Sequence, residues 1–112
     1  MDVTADEFRE MALRIPQACE SAHVGHPDFR LGEKVFASLG APDANWGMVK
    51  LTSEEQRAFM GKAPDVFTPC NGAWGGRGYT SVRLASATKT VLRPALEAAA
   101  KNVVARVKKR TT

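Results

Sequence analysis

Phe29-Arg30-Leu31-Gly32-Glu33-Lys34-Val35-Phe36-Ala37-Ser38-Leu39 is the stretch that decides the fold. Two short alternating runs flank Gly32-Glu33, and such runs around a glycine turn read as a β-hairpin. Val35 and Phe36 cannot both face a core by simple alternation, so the register of the second strand stays open. After the polar turn Gly40-Ala41-Pro42-Asp43-Ala44-Asn45, Trp46-Gly47-Met48-Val49-Lys50-Leu51 reads as a third antiparallel strand. Tyr79-Thr80-Ser81-Val82-Arg83-Leu84 alternates most cleanly of all. Val66-Phe67-Thr68 is short and extended, and Ser21 to Pro27 reads as a short strand running into a loop.

Helices frame these strands. Thr4-Ala5-Asp6-Glu7 has the spacing of a capping box, and Phe8, Met11, Ala12 and Ile15 follow at helical intervals, so a helix is expected from about Thr4 to Arg14, stopped by Pro16. Thr52-Ser53-Glu54-Glu55 is a second box, opening a helix from about Ser53 to Met60 that ends near Gly61. Leu92, Leu96, Ala99, Val103 and Val107 line one face of a last helix, from about Thr90 to Arg110, that begins after Thr88 because Pro94 fits only near a first turn. The expectation is one α+β domain over residues 1–112, an antiparallel β-sheet with helices packed on one face.

The chain has 112 residues, of which 44% are hydrophobic and 25% charged, so disorder is a poor reading of the whole. No apolar run approaches a membrane span, and the acidic start Met1-Asp2-Val3-Thr4-Ala5-Asp6-Glu7 is unlike a secretory signal; a cytoplasmic protein is expected. Cys19 and Cys70 cannot make a disulfide scaffold, and both are read as free packing thiols. The formal net charge is +4, but nine basic residues between Arg77 and Thr112 face Glu97 alone, a local net of +8. A basic third of this kind favours a polyanionic partner. For Lys108-Lys109-Arg110 the alternative is complementing the negative end of the last helix.

Three groups of residues carry possible chemistry. Asn71-Gly72-Ala73-Trp74-Gly75-Gly76-Arg77-Gly78 holds four glycines in eight residues but lacks the Lys-Ser/Thr of a phosphate-binding loop and precedes a strand. What remains is a flexible loop carrying Trp74 and Arg77, with Tyr79 at its exit. Its aromatics can stack on bases, or Trp74 can plug the open end of the sheet. His23 and His26 lack a third histidine for a metal, so no metal and no cofactor are expected; His26-Pro27 reads as a tight turn, its imidazole bonded to backbone or set in a surface groove. Arg30, Lys34, Lys50 and Arg83 fall on strands, and form a basic plate only if they share the face away from the helices.

These pieces resemble a known family. Gly25-His26-Pro27-Asp28-Phe29-Arg30, Lys34-Val35-Phe36-Ala37, Lys50-Leu51-Thr52-Ser53-Glu54-Glu55-Gln56 and Trp74-Gly75-Gly76-Arg77-Gly78-Tyr79-Thr80-Ser81-Val82 stand in the order seen in the MmcQ/YjbR family of small bacterial proteins. The resemblance spans about Phe8 to Val104. It implies a fold like that of CyaY, the bacterial frataxin, and DNA binding through a double wing of loops. The contact residues it implies are Arg30, Lys34, Lys50, Trp74, Arg77 and Tyr79, with His26 at the family turn. Gly76 stands where the family often has a second basic residue, Tyr79 where it often has tryptophan, and Ala85 where an acidic residue is common.

The expected function is therefore a non-enzymatic, monomeric DNA-binding domain with weak sequence preference. Arg30, Lys34, Lys50, Arg77 and Arg83 would neutralise phosphates, and Trp74 and Tyr79 would insert from the second wing. The alternative is a binding module for a small anionic ligand or an acidic protein partner, with the tryptophan loop as a lid.

Overall fold

The computed structural model describes the backbone of residues 3–23, 25–40 and 43–111, and the side chains of these residues up to 104 except that of position 23. The side chains of Val107, Lys108, Lys109 and Arg110, invoked above for the last helix and its basic end, lie outside the described residues.

Thr4 caps α1 (Ala5–Leu13) as its spacing predicts. Glu7 N donates to Thr4 Oγ1 at 3.1 Å, and Thr4 N donates to Glu7 Oε1 at 2.9 Å. The chain then enters a six-stranded sheet of β1 (Ala18–His23), β2 (His26–Leu31), β3 (Lys34–Leu39), β4 (Trp46–Lys50), β5 (Phe67–Pro69) and β6 (Tyr79–Arg83). Their spatial order is β1-β2-β3-β4-β6-β5, with every neighbouring pair antiparallel. Between β4 and β5 lies α2 (Ser53–Lys62), and its capping box at Thr52 and Glu55 is formed in both directions. A one-turn helix α3 (Ala73–Gly76) precedes β6, and α4 (Lys89–Thr111) follows a short 3₁₀ turn.

The hairpin that decides the fold forms around Gly32, whose φ of +64° suits glycine. Its open register is settled by a β-bulge. Phe29 pairs with Ala37 while Arg30 pairs with Val35, leaving Phe36 as the extra residue. The bulge turns Phe36 and Ala37 both into the core, and Val35 falls to the opposite face.

Helices α1, α2 and α4 cover one face of the sheet, α4 lying over β3 and β4 and α2 against β5 and β6. Phe8, Phe29, Phe36, Phe67, Val49, Val82, Leu92 and Leu96 are fully buried between the layers. Complete burial of each such side chain stabilises by roughly 1.5–3 kcal/mol. Among the described residues the other face of the sheet carries no helix of comparable length.

Three boundaries differ from the sequence expectation. His26-Pro27 opens β2 instead of forming a turn; the turn comes one residue earlier, at Gly25, with φ +79°. The segment before it is a full strand. Helix α2 runs through Gly61 to Lys62, because Ala63 N still reaches the Phe59 carbonyl. Helix α4 begins after Thr88 as expected, which puts Pro94 in its second turn, where its missing N–H omits only the bond to the Thr90 carbonyl. Among the described residues no helix is long and apolar enough to cross a membrane.

Candidate functional site

Alternation along each strand decides what the uncovered face presents. On β4, Gly47 and Val49 turn inward, so Trp46, Met48 and Lys50 turn outward. On β6, Thr80 and Val82 are buried, so Tyr79, Ser81 and Arg83 share the outer face. The register sets Trp46 opposite Arg83 and Lys50 opposite Tyr79. Each end of this ladder therefore holds a cation over a ring: Arg83 Cζ lies 4.8 Å from the Trp46 ring centre, and Lys50 Nζ lies 5.1 Å from that of Tyr79. Arg77 forms a third such pair, its Cζ 5.4 Å from the Trp74 ring centre. A cation over an aromatic face gains about 0.5–1 kcal/mol at an exposed site.

Arg30 also reaches this face, opposite Val35, but it is already engaged. Its Nε donates to Asp28 Oδ1 at 2.8 Å and its Nη2 to Asp28 Oδ2 at 3.0 Å. Asp28 is only 4% exposed, and its hydrogen-bonded carboxylate pushes the Arg30 pKa further above its ordinary range. The pair adds no net charge to the plate. Lys34 does not reach the plate at all. It pairs with Leu31, a core residue, and opposed residues project to the same side, so Lys34 stands on the helix side of the sheet. The basic plate expected from Arg30, Lys34, Lys50 and Arg83 thus reduces to Lys50 and Arg83, with Arg77 beside them.

The glycine-rich segment is a fixed turn. Gln56, buried on α2, shares the two hydrogens of its Nε2 among three acceptors, the Gly75 carbonyl at 3.0 Å, the Tyr79 carbonyl at 3.1 Å and Thr80 Oγ1 at 3.1 Å. Ser53 Oγ donates to the Gly76 carbonyl at 3.0 Å. Two glycines permit this closeness. A Cβ at Gly75 would run into the Cys70 carbonyl, and one at Gly78, where φ is +105°, into the Leu51 carbonyl. The turn raises Trp74 above the sheet. Trp74 is 54% exposed, so it plugs nothing, and its ring lies 5.0 Å from that of Tyr79 at an angle of 52°.

Between Trp74 and the Asp28–Arg30 pair lies an open hollow of about 550 Å³. Trp74 and Tyr79 wall one side, Val35 and Met48 supply apolar floor, and Ser38, His26 and Asp28 line the far side. His26 therefore sits in a surface groove, its Nδ1 packed against Gly40. Cys70 also borders the hollow, 3.4 Å from Ser81 Oγ. Burial pushes its thiol pKa up, which leaves it protonated and a poor nucleophile. Among the described residues no group of three or more His, Cys, Asp and Glu side chains is placed to hold a metal ion; the side chain of His23 lies outside them.

Sequence reasoning missed Trp46 as the partner of Arg83, Asp28 as the partner of Arg30, and Gln56. An Asp two residues from an Arg on one strand was a readable signal, because such residues share a face. The contacts of Trp46 and Gln56 depend on register and on chain distant in sequence, and had none.

No family model matches the chain, and no curated protein matches it at a significant level. Among solved structures it is similar to the crystal structure of Deinococcus radiodurans protein DR2400, described by the domain name DUF419. The TM-score is 0.67 at 16% identity, covering 87% of this chain and 75% of that one. At that identity the likeness is one of fold.

Proposed function

We propose that this protein is a non-catalytic, monomeric DNA-binding domain that contacts phosphates through the uncovered face of its sheet. The observation that carries this reading is the set of three cations, Lys50, Arg77 and Arg83, each seated over an aromatic ring on or beside β4 and β6. Asp28 is the one carboxylate among the described side chains lining the hollow, and Arg30 already neutralises it. The face therefore keeps a positive excess. The sequence resemblance to the MmcQ/YjbR family supports the same reading.

Contacts of this kind position the chain along a backbone and read little sequence. Three neutralised phosphates give a log–log salt slope of about −2 to −3, from about 0.7–0.9 per phosphate. Fluorescence anisotropy of labelled DNA across a salt series tests the proposal. Arg77→Ala should weaken binding and flatten the slope by just under one unit. Absence of binding at low salt, or a slope indifferent to Arg77, would refute it.

The hollow favours one second reading, a small planar anion held between Trp74 and Lys50 in place of a polymer. Thermal stabilisation by such an anion without any response to DNA would select it.

A further inference from the structure

We infer that the nucleic acid taken by this face is single-stranded, with one unpaired base entering the hollow between Trp74 and the Asp28–Arg30 pair. This deepens the phosphate-binding reading and rests on it. The hollow, at about 550 Å³, lies within the range of pockets that enclose small ligands, roughly 300–1,000 Å³. Its walls suit a flat ring with a polar edge. Trp74 and Tyr79 offer aromatic surface on one side, while Val35 and Met48 supply an apolar floor.

The far side supplies the complement to a base edge. Arg30 spends Nε and Nη2 on Asp28 and keeps Nη1 as a donor, and each Asp28 oxygen keeps acceptor capacity. Ser38 adds a hydroxyl. Donors and acceptors held side by side in one rigid pair match the mixed donor and acceptor pattern of base edges. In a duplex the bases are stacked and their pairing edges are occupied, so a base reaches a hollow only after costly unstacking. A single strand presents unpaired bases at once, and aromatic side chains stack on them whatever their identity. Lys50 and Arg77 stand at the Trp74 side of the hollow, where the phosphates flanking a seated base would lie.

The test is anisotropy of one labelled oligonucleotide, alone and annealed to its complement, at one salt concentration. The single strand should bind about tenfold tighter or more. Trp74→Ala removes the stacking surface and also the ring under Arg77, so it should lower single-strand affinity about tenfold and duplex affinity by much less, and Trp74→Phe should retain most of both. Trp74 is exposed, so neither change threatens the core. Ser38→Phe, which fills the hollow and removes no cation, should bring single-strand affinity down to the duplex level. Equal affinity for both forms, or indifference to Trp74→Ala and Ser38→Phe, overturns this inference and leaves the phosphate-binding reading standing. Binding of neither form overturns both.

Discussion

Asp28 and Arg30, two residues apart on β2, hold each other in a two-point ion pair at 2.8 and 3.0 Å on the uncovered face of the sheet. The strand period makes the pairing possible, since residues i and i+2 share a face. Its consequence is electrostatic. The arginine that a reading by charge would first assign to phosphate already has its counter-ion, and the cations left to act are those seated on rings.

Arg30→Ala should therefore change the salt slope of DNA binding less than Arg77→Ala does. It should also lower the melting temperature, because it strands the buried Asp28 carboxylate. Adding Asp28→Ala to it removes that charge and should restore part of the loss. Asp28→Ala alone frees Arg30 and should steepen the slope by just under one unit. A slope that falls equally for Arg30→Ala and Arg77→Ala would show that Arg30 leaves its partner to meet phosphate.

Lys34→Ala should leave DNA affinity nearly unchanged, and Lys50→Ala should lower it. The two lysines are equal in charge and both lie on strands, but Lys34 shares the helix side with Leu31 while Lys50 lies over Tyr79. Equal losses from the two would contradict the assignment of faces. Parallel titrations at one salt concentration decide it.

How far these roles were readable in the sequence varied with the distance over which they were set. Both capping boxes and the alternation from Tyr79 to Arg83 are local, and the structure keeps them. The order of elements and the helix-covered sheet followed from such local signals. Lys34 was misplaced because a two-residue turn and the Phe36 bulge set its face, and a shift of one residue reverses every side chain beyond it. The rigidity of the glycine turn was unreadable for a different reason. Gln56 looks like any solvated helix residue until the chain 19 to 24 positions later folds against it.

Gln56→Leu should release the turn that carries Trp74. The substitution keeps the side-chain bulk but leaves the buried Gly75 carbonyl and Thr80 Oγ1 without the amide donor. The Gly75 carbonyl keeps the Gly78 N–H and Thr80 Oγ1 keeps its bond to the Gly78 carbonyl, so the loss is that of the amide's own hydrogen bonds, about 0.5–1.5 kcal/mol each. The denaturation midpoint should fall accordingly, and amide exchange should rise across Asn71 to Gly78. Single-strand affinity should fall with it, although Gln56 faces away from the hollow. Unchanged exchange in that segment would show that the glycine contacts alone fix the turn.

Acid should weaken the anchoring of α1 through Glu7. The Thr4 backbone N–H, and after it Lys89 at 3.1 Å, hold the Glu7 carboxyl pKa below its ordinary value. A group whose folded-state pKa is depressed stabilises fully above its unfolded value, here about 4.3, and that contribution is lost as pH falls through the lower folded value. Glu7→Gln keeps an acceptor for the Thr4 N–H but removes the charge that Lys89 meets. The wild-type protein should therefore melt above the variant at pH 7, and the gap should close as the pH is lowered below about 4. A gap that stays constant from pH 7 to pH 3 would mean that Glu7 acts through packing, and that its charge does nothing for the α1–α4 contact.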